Sequence, residues 1–117
     1  MAEIVIVDIS PAERDKILAL HEGHFRDLKG IAIQPAKLTR TIAALSNTEG
    51  GEVYIGISED KQSRTNAWQG FRTVEDANGH VQAFEPLFPL GAGYDYSFLR
   101  SAADVGLVLK VDVGKSR

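Results

Sequence analysis

The stretch from Ile42 to Ile57 constrains this fold more than any other. Leu38, Ile42 and Leu45 recur at helical spacing, which predicts a helix with one apolar face. Asn47-Thr48-Glu49-Gly50-Gly51 then ends it, because Asn and Gly tolerate the backbone conformations that stop a helix and reverse the chain. Val53, Ile55 and Ile57 alternate with Tyr54 and Gly56, as in a strand. A glycine inside a strand points to close approach of another backbone or of a ligand, so Gly56 should be crowded. The glycine pair follows a helix C-terminus, whose polarity is the reverse of an anion-binding helix start. An anion held here would need a local nest of backbone N–H groups instead.

The chain of 117 residues suits one domain with one core. Its 44% hydrophobic and 25% charged residues are ordinary globular values. No apolar run approaches the roughly 20 residues that span a bilayer, so no membrane partner is expected. Without cysteine there is no disulfide and no thiolate metal site, and the default location is cytoplasmic. A net charge of −3 argues against a strongly basic, indiscriminate DNA binder, but it leaves room for a local basic patch. The ending Val111 to Arg117 follows directly on a strand-like run, and residues 1–117 read as the N-terminal fragment of a longer protein.

Glu3 to Ile9 reads as a short strand. Ser10-Pro11-Ala12-Glu13 starts a helix running to His21, with Ser10 and Glu13 as a capping box and Pro11 in the first turn. Strand alternation from Phe25 places Asp27 and Lys29 on one side, where each supplies the other's partner in a cleft. Pro35 opens the central helix, and Lys37 and Arg40 lie one turn apart on the face away from Leu38 and Ile42. Residues 58–66 are polar and read as an exposed hairpin or loop. Thr73 caps a helix carrying Val74, Ala77, Val81 and Phe84, which Asn78-Gly79 threatens to break. Residues 86–93 form a loop, and strands follow at Tyr94–Phe98 and Gly106–Val113. These strands and helices predict a single α+β domain, a mixed β-sheet packed with about three helices.

Glu22, the group Asp27-Leu28-Lys29, the helix end Ala43 to Gly51, the strand Val53-Tyr54-Ile55-Gly56-Ile57 and the acidic Glu59-Asp60 together resemble the Schlafen AlbA-like domain family. The match is strongest from Glu22 to Asp60. Asp27-Leu28 stands where the family carries Glu-Phe, and Ser58 where an Asp is common. The resemblance implies a nucleic-acid-associated, DNA-binding regulatory module of a larger bacterial protein, of the kind that serves in transcription regulation. In nuclease members, two acids of the first motif and a later acid form a metal-dependent RNA-cleaving site. By motif, the resemblance carries these roles to Glu22 and Asp27 as catalytic residues, with Glu59 or Asp60 as third metal ligand.

Two or three carboxylates suit Mg²⁺ or Mn²⁺, which prefer oxygen ligands and activate water beside a phosphate. Solvated acids beside a surface lysine are the plainer reading of Glu22, Asp27 and Lys29. The expected nucleic-acid contacts are Lys29, Lys37, Arg40, Asn47, Gly50 and Gly51, acting on phosphates of DNA or RNA without base preference and without a required cofactor. Arg26 supplements this set. Three readings therefore compete: a binding module, a metal-dependent endoribonuclease, and a protein-interaction or homodimerisation module. His21, His24 and His80 lack zinc-protease spacing. Trp68, Phe71, Tyr94, Tyr96 and Phe98 suit a core better than a base-stacking platform.

Overall fold

The computed structural model describes residues 5–20, 26–47, 49–60, 62–63, 65–84 and 94–114. The expected strand at 3–9, helix end at His21, strand start at Phe25 and loop at 86–93 lie wholly or partly outside them. Strand β1 (Ile6–Ile9) leads into helix α1 (Pro11–Leu18), and β2 (Arg26–Lys29) into α2 (Pro35–Ser46). Then follow β3 (Gly51–Ile55), β4 (Ile57–Asp60) and β5 (Thr65–Trp68). A 3₁₀ turn (Glu75–Ala77), α3 (Asn78–Phe84), β6 (Tyr94–Ser101) and β7 (Leu107–Val113) complete the order.

Five strands form one mixed sheet in the order β1-β6-β7-β3-β2, and β4 and β5 form a separate antiparallel pair. β1 runs parallel to β6 and β2 parallel to β3, while β7 is antiparallel to both β3 and β6. Among the described residues the sheet thus has two edges, β1 and β2. The architecture is the expected α+β domain with a mixed sheet and three helices. It has more strands than were read from sequence because the polar 58–66 segment closes a true hairpin and Gly56 divides one predicted strand into β3 and β4.

Each face of the sheet has its own apolar cluster. Leu38, Ile42 and Leu45 of α2, with Ala77 and Val81, pack on Val53, Ile55, Phe98, Leu109 and Val111. Leu38 and Ile42 are fully buried, and burial of each contributes roughly 1.5–3 kcal/mol. On the opposite face, Ile17 of α1 packs with Leu28, Tyr54, Ile57, Leu99 and Val108. Phe71, Tyr96 and Phe98 are core residues, and the Trp68 indole N–H donates to the Gly106 carbonyl, which agrees with the core reading of these aromatics.

Local chemistry explains the element ends. The Ser10–Glu13 capping box is present and Pro11 sits in the first turn of α1. α1 ends earlier than expected, at Leu18, and the Asn66 side-chain amide of β5 donates to the Leu18 and Leu20 carbonyls beyond it. Thr73 Oγ1 accepts from the Asp76 N–H, as a cap should. Asn78 marks the change from 3₁₀ turn to α3 without breaking the chain of turns. Gly56 is crowded as expected: its carbonyl accepts from both Gln69 and Gly70 N–H at 2.8 Å, and a Cβ there would lie 3.3 Å from Gly70 Cα.

Candidate functional site

β2 and α2 carry most of the residues singled out by sequence. Leu28 enters the α1-side cluster, so Asp27 and Lys29 project on the α2 side. There Lys29 Nζ lies 3.1 Å from Asp27 Oδ1, with both side chains about four-fifths shielded. The mutual pairing of these two charges is therefore as expected from alternation. Asp27 Oδ1 is buried and accepts no well-aligned hydrogen bond among the described residues, where its ion pair with Lys29 compensates for its burial.

Lys37 and Arg40 are exposed on α2, opposite its buried stripe. Among the described residues no carboxylate pairs with either. The helix sequence Pro35–Ser46 contains no acid at all, so among the described residues this face is a small positive surface. Among the described residues Lys16 and Arg72 likewise have no carboxylate partner, whereas Arg14, Arg26, Lys29, Arg100 and Lys110 are all engaged by carboxylates.

The turn after α2 takes its left-handed residue from the glycines of the 47–51 stretch. Asn47 is exposed and helical, with its N–H on the Ala43 carbonyl, so it does not supply the left-handed residue. Gly50 does, at φ 82°, and its N–H donates to the Leu45 carbonyl at 2.9 Å. That N–H is committed to closing the turn, and the Gly50 contact expected from sequence would have to come from another atom.

Asp60 lies at the tip of the β4–β5 hairpin, where its Oδ1 accepts from the Gln62 N–H at 3.0 Å and the Ser63 N–H at 3.4 Å. These bonds hold its carboxyl below the usual carboxylate range. The role explained by this geometry is that of a turn residue. Glu22 lies outside the described residues. Among the described residues, no three His, Asp or Glu side chains gather as a metal site.

A charged row across the sheet was not foreseen. Arg26, Glu52, Asp112 and Asp95 occupy directly opposed positions on β2, β3, β7 and β6. Glu52 is shared by Arg26 at 3.6 Å, Lys110 at 3.2 Å and the Tyr54 hydroxyl at 3.2 Å. Burial, then the charge of Glu52, pushes the Tyr54 phenol up. Partial burial, with Glu52 and Asp95 close by, raises Asp112 despite Lys110 at 3.6 Å. Arg26 and Glu52 of the row line a cleft of about 540 Å³, across which lie the apolar Ile17, Leu20 and Leu99 and the charged Glu13 and Lys16 of α1. Only pairing register reveals it, since its members are scattered from residue 26 to residue 112.

Compared with known proteins, the chain matches no family model and no curated protein. The Schlafen AlbA-like resemblance therefore rests on the residues between Glu22 and Asp60 themselves.

Proposed function

We propose that the domain is a nucleic-acid-binding module that grips phosphates through the solvent face of α2. The observation carrying this reading is the pair Lys37 and Arg40: exposed, one turn apart on an acid-free helix, with no carboxylate partner among the described residues. Phosphate contacts of this kind position a strand without reading bases. Lys29, held by Asp27, sits on the same side of the sheet and adds to the local field. The resemblance to the Schlafen AlbA-like family supports the same reading.

The test is titration of labelled single- and double-stranded DNA and RNA at low salt, with and without Mn²⁺, with products run on a gel. Salt-dependent retention of intact strands, weakened by Lys37→Ala and Arg40→Ala, is the expected result. Absence of any binding at low salt would reject it. One observation favours endoribonuclease activity as a second reading: the shielded Asp27 Oδ1 has acceptor capacity left over beside a lysine. Shortened RNA only with Mn²⁺, lost in Glu22→Gln and Asp27→Asn, would put that reading first.

A further inference from the structure

We propose that β1 is a self-association edge, pairing antiparallel with β1 of a second copy of this chain about a two-fold axis beside Val7. The proposal is independent of nucleic-acid binding.

The two edges of the sheet differ sharply. β2 is charged at three of its four positions, Arg26, Asp27 and Lys29. Charges of this kind discourage strand addition. β1 presents Val5, Ile6 and Val7 at 46%, 43% and 39% exposure, the opposite of a blunted edge.

The register states which backbone groups are open. Ile6 lies opposite Phe98 in a parallel ladder, and the Phe98 N–H donates to the Val5 carbonyl. Groups alternate along a strand, so Val5, Val7 and Ile9 turn their N–H and C=O toward β6. Ile6 and Asp8 direct theirs away from the sheet. Among the described residues nothing receives them.

A second β1 does so without conflict. A two-fold axis perpendicular to the sheet keeps equivalent faces together, so only residues on the same face can be opposed. Centring it on Val7 sets Ile6 against Asp8 of the second copy, and the two pairs exchange four main-chain hydrogen bonds. On the α1 face, Val7 then meets Val7 and Val5 meets Ile9, apolar against apolar. The one charge in the strand is already neutralised, since Arg100 Nε and Nη2 hold the Asp8 carboxylate at 2.6 and 3.1 Å. The pairing therefore sets no like charges face to face. An edge this short buries less than the roughly 1,200 Å² of stable interfaces, so the dimer is of the weak, concentration-dependent class.

The chain has no cysteine, which allows a clean test. In the proposed register, Val7 and its symmetry mate form a non-hydrogen-bonded pair with Cα atoms about 4.5 Å apart, within disulfide range. Two Ile6 residues would be more than about 7 Å apart, beyond it. Sedimentation from about 1 µM to about 1 mM spans the range of weak association. The expected result is a concentration-dependent dimer, a disulfide in Val7→Cys and none in Ile6→Cys. Val7→Lys and Val7→Glu should each be monomeric alone, and mixing them should restore a dimer by opposite charge. A monomer throughout, a dimer without the Val7→Cys crosslink, equal crosslinking at both positions, or no rescue on mixing would overturn the proposal.

Discussion

Arg14 and Asp104, 90 residues apart in sequence, form a two-point ion pair, with Nε to Oδ2 at 2.7 Å and Nη2 to Oδ1 at 3.0 Å. The pair ties α1 to the turn between β6 and β7. Its geometry is of the forked kind that outperforms ordinary surface pairs. The side chains are 28% and 14% exposed by surface area, so solvent screens the contact only in part.

The pH dependence of this pair follows from its sign. The Arg14 guanidinium holds the Asp104 carboxyl below its usual range. Its stabilisation is therefore complete above the unfolded carboxylate value and is lost as pH falls below it toward the folded one. Asp104→Asn should lower the melting temperature at pH 7, and the gap to wild type should narrow at pH 3. Thermal melts at the two pH values check this; a gap that stays constant would mean that the pair does not supply the stability.

Asp112 should show the reverse sign. Its carboxyl is raised, chiefly by burial. The folded state then holds the proton longer than the unfolded chain, and stability falls as pH rises past the unfolded carboxylate value. Asp112→Asn removes a charge opposed to both Glu52 and Asp95 across the sheet, an arrangement that costs roughly 0.2–1 kcal/mol per like-charged pair. The variant should melt higher than wild type at pH 7 and equally at pH 3.

Much of this fold was legible because local chemistry and tertiary packing agree. Ser10 with Glu13, Thr73, and the stripe Leu38, Ile42 and Leu45 each announce an element that the chain then adopts. Asp27 beside Lys29 was legible for the same reason, since strand alternation alone puts them on one side. The row from Arg26 to Asp95 was not. Its members meet only through the pairing of four strands, and register between distant segments leaves no mark on local sequence. The stretch Asn47 to Gly51 was legible as a helix stop, but which of its residues takes the left-handed backbone was not; Gly50 does so without a Cβ conflict, while Asn47 stays helical.

Two glycines give opposite expectations for the same substitution. Gly70 adopts φ 70°, and a Cβ there would lie 2.8 Å from the Gly106 backbone carbonyl carbon. Gly70→Ala should cost roughly 2–3 kcal/mol, from the left-handed backbone and the contact together. Gly79, in α3, has open space where its Cβ would be. Gly79→Ala should stabilise by up to about 1 kcal/mol through helix propensity. Denaturant melts of the two variants check both signs.

The basic face of α2 makes the prediction that bears most directly on function. Lys16 serves as the control, because it too is a cation without a carboxylate partner among the described residues, but lies on α1 across the sheet from α2. Lys16→Ala changes the net charge by the same amount as Lys37→Ala. If overall charge alone governs affinity, the two variants should weaken binding equally. If the α2 face holds the phosphates, only Lys37→Ala and Arg40→Ala should weaken it. Loss of both should flatten the plot of log affinity against log salt by about 2, one phosphate contact each. Fluorescence anisotropy with one labelled oligonucleotide over a salt series separates the outcomes. An unchanged slope in the double variant would remove α2 from the interface.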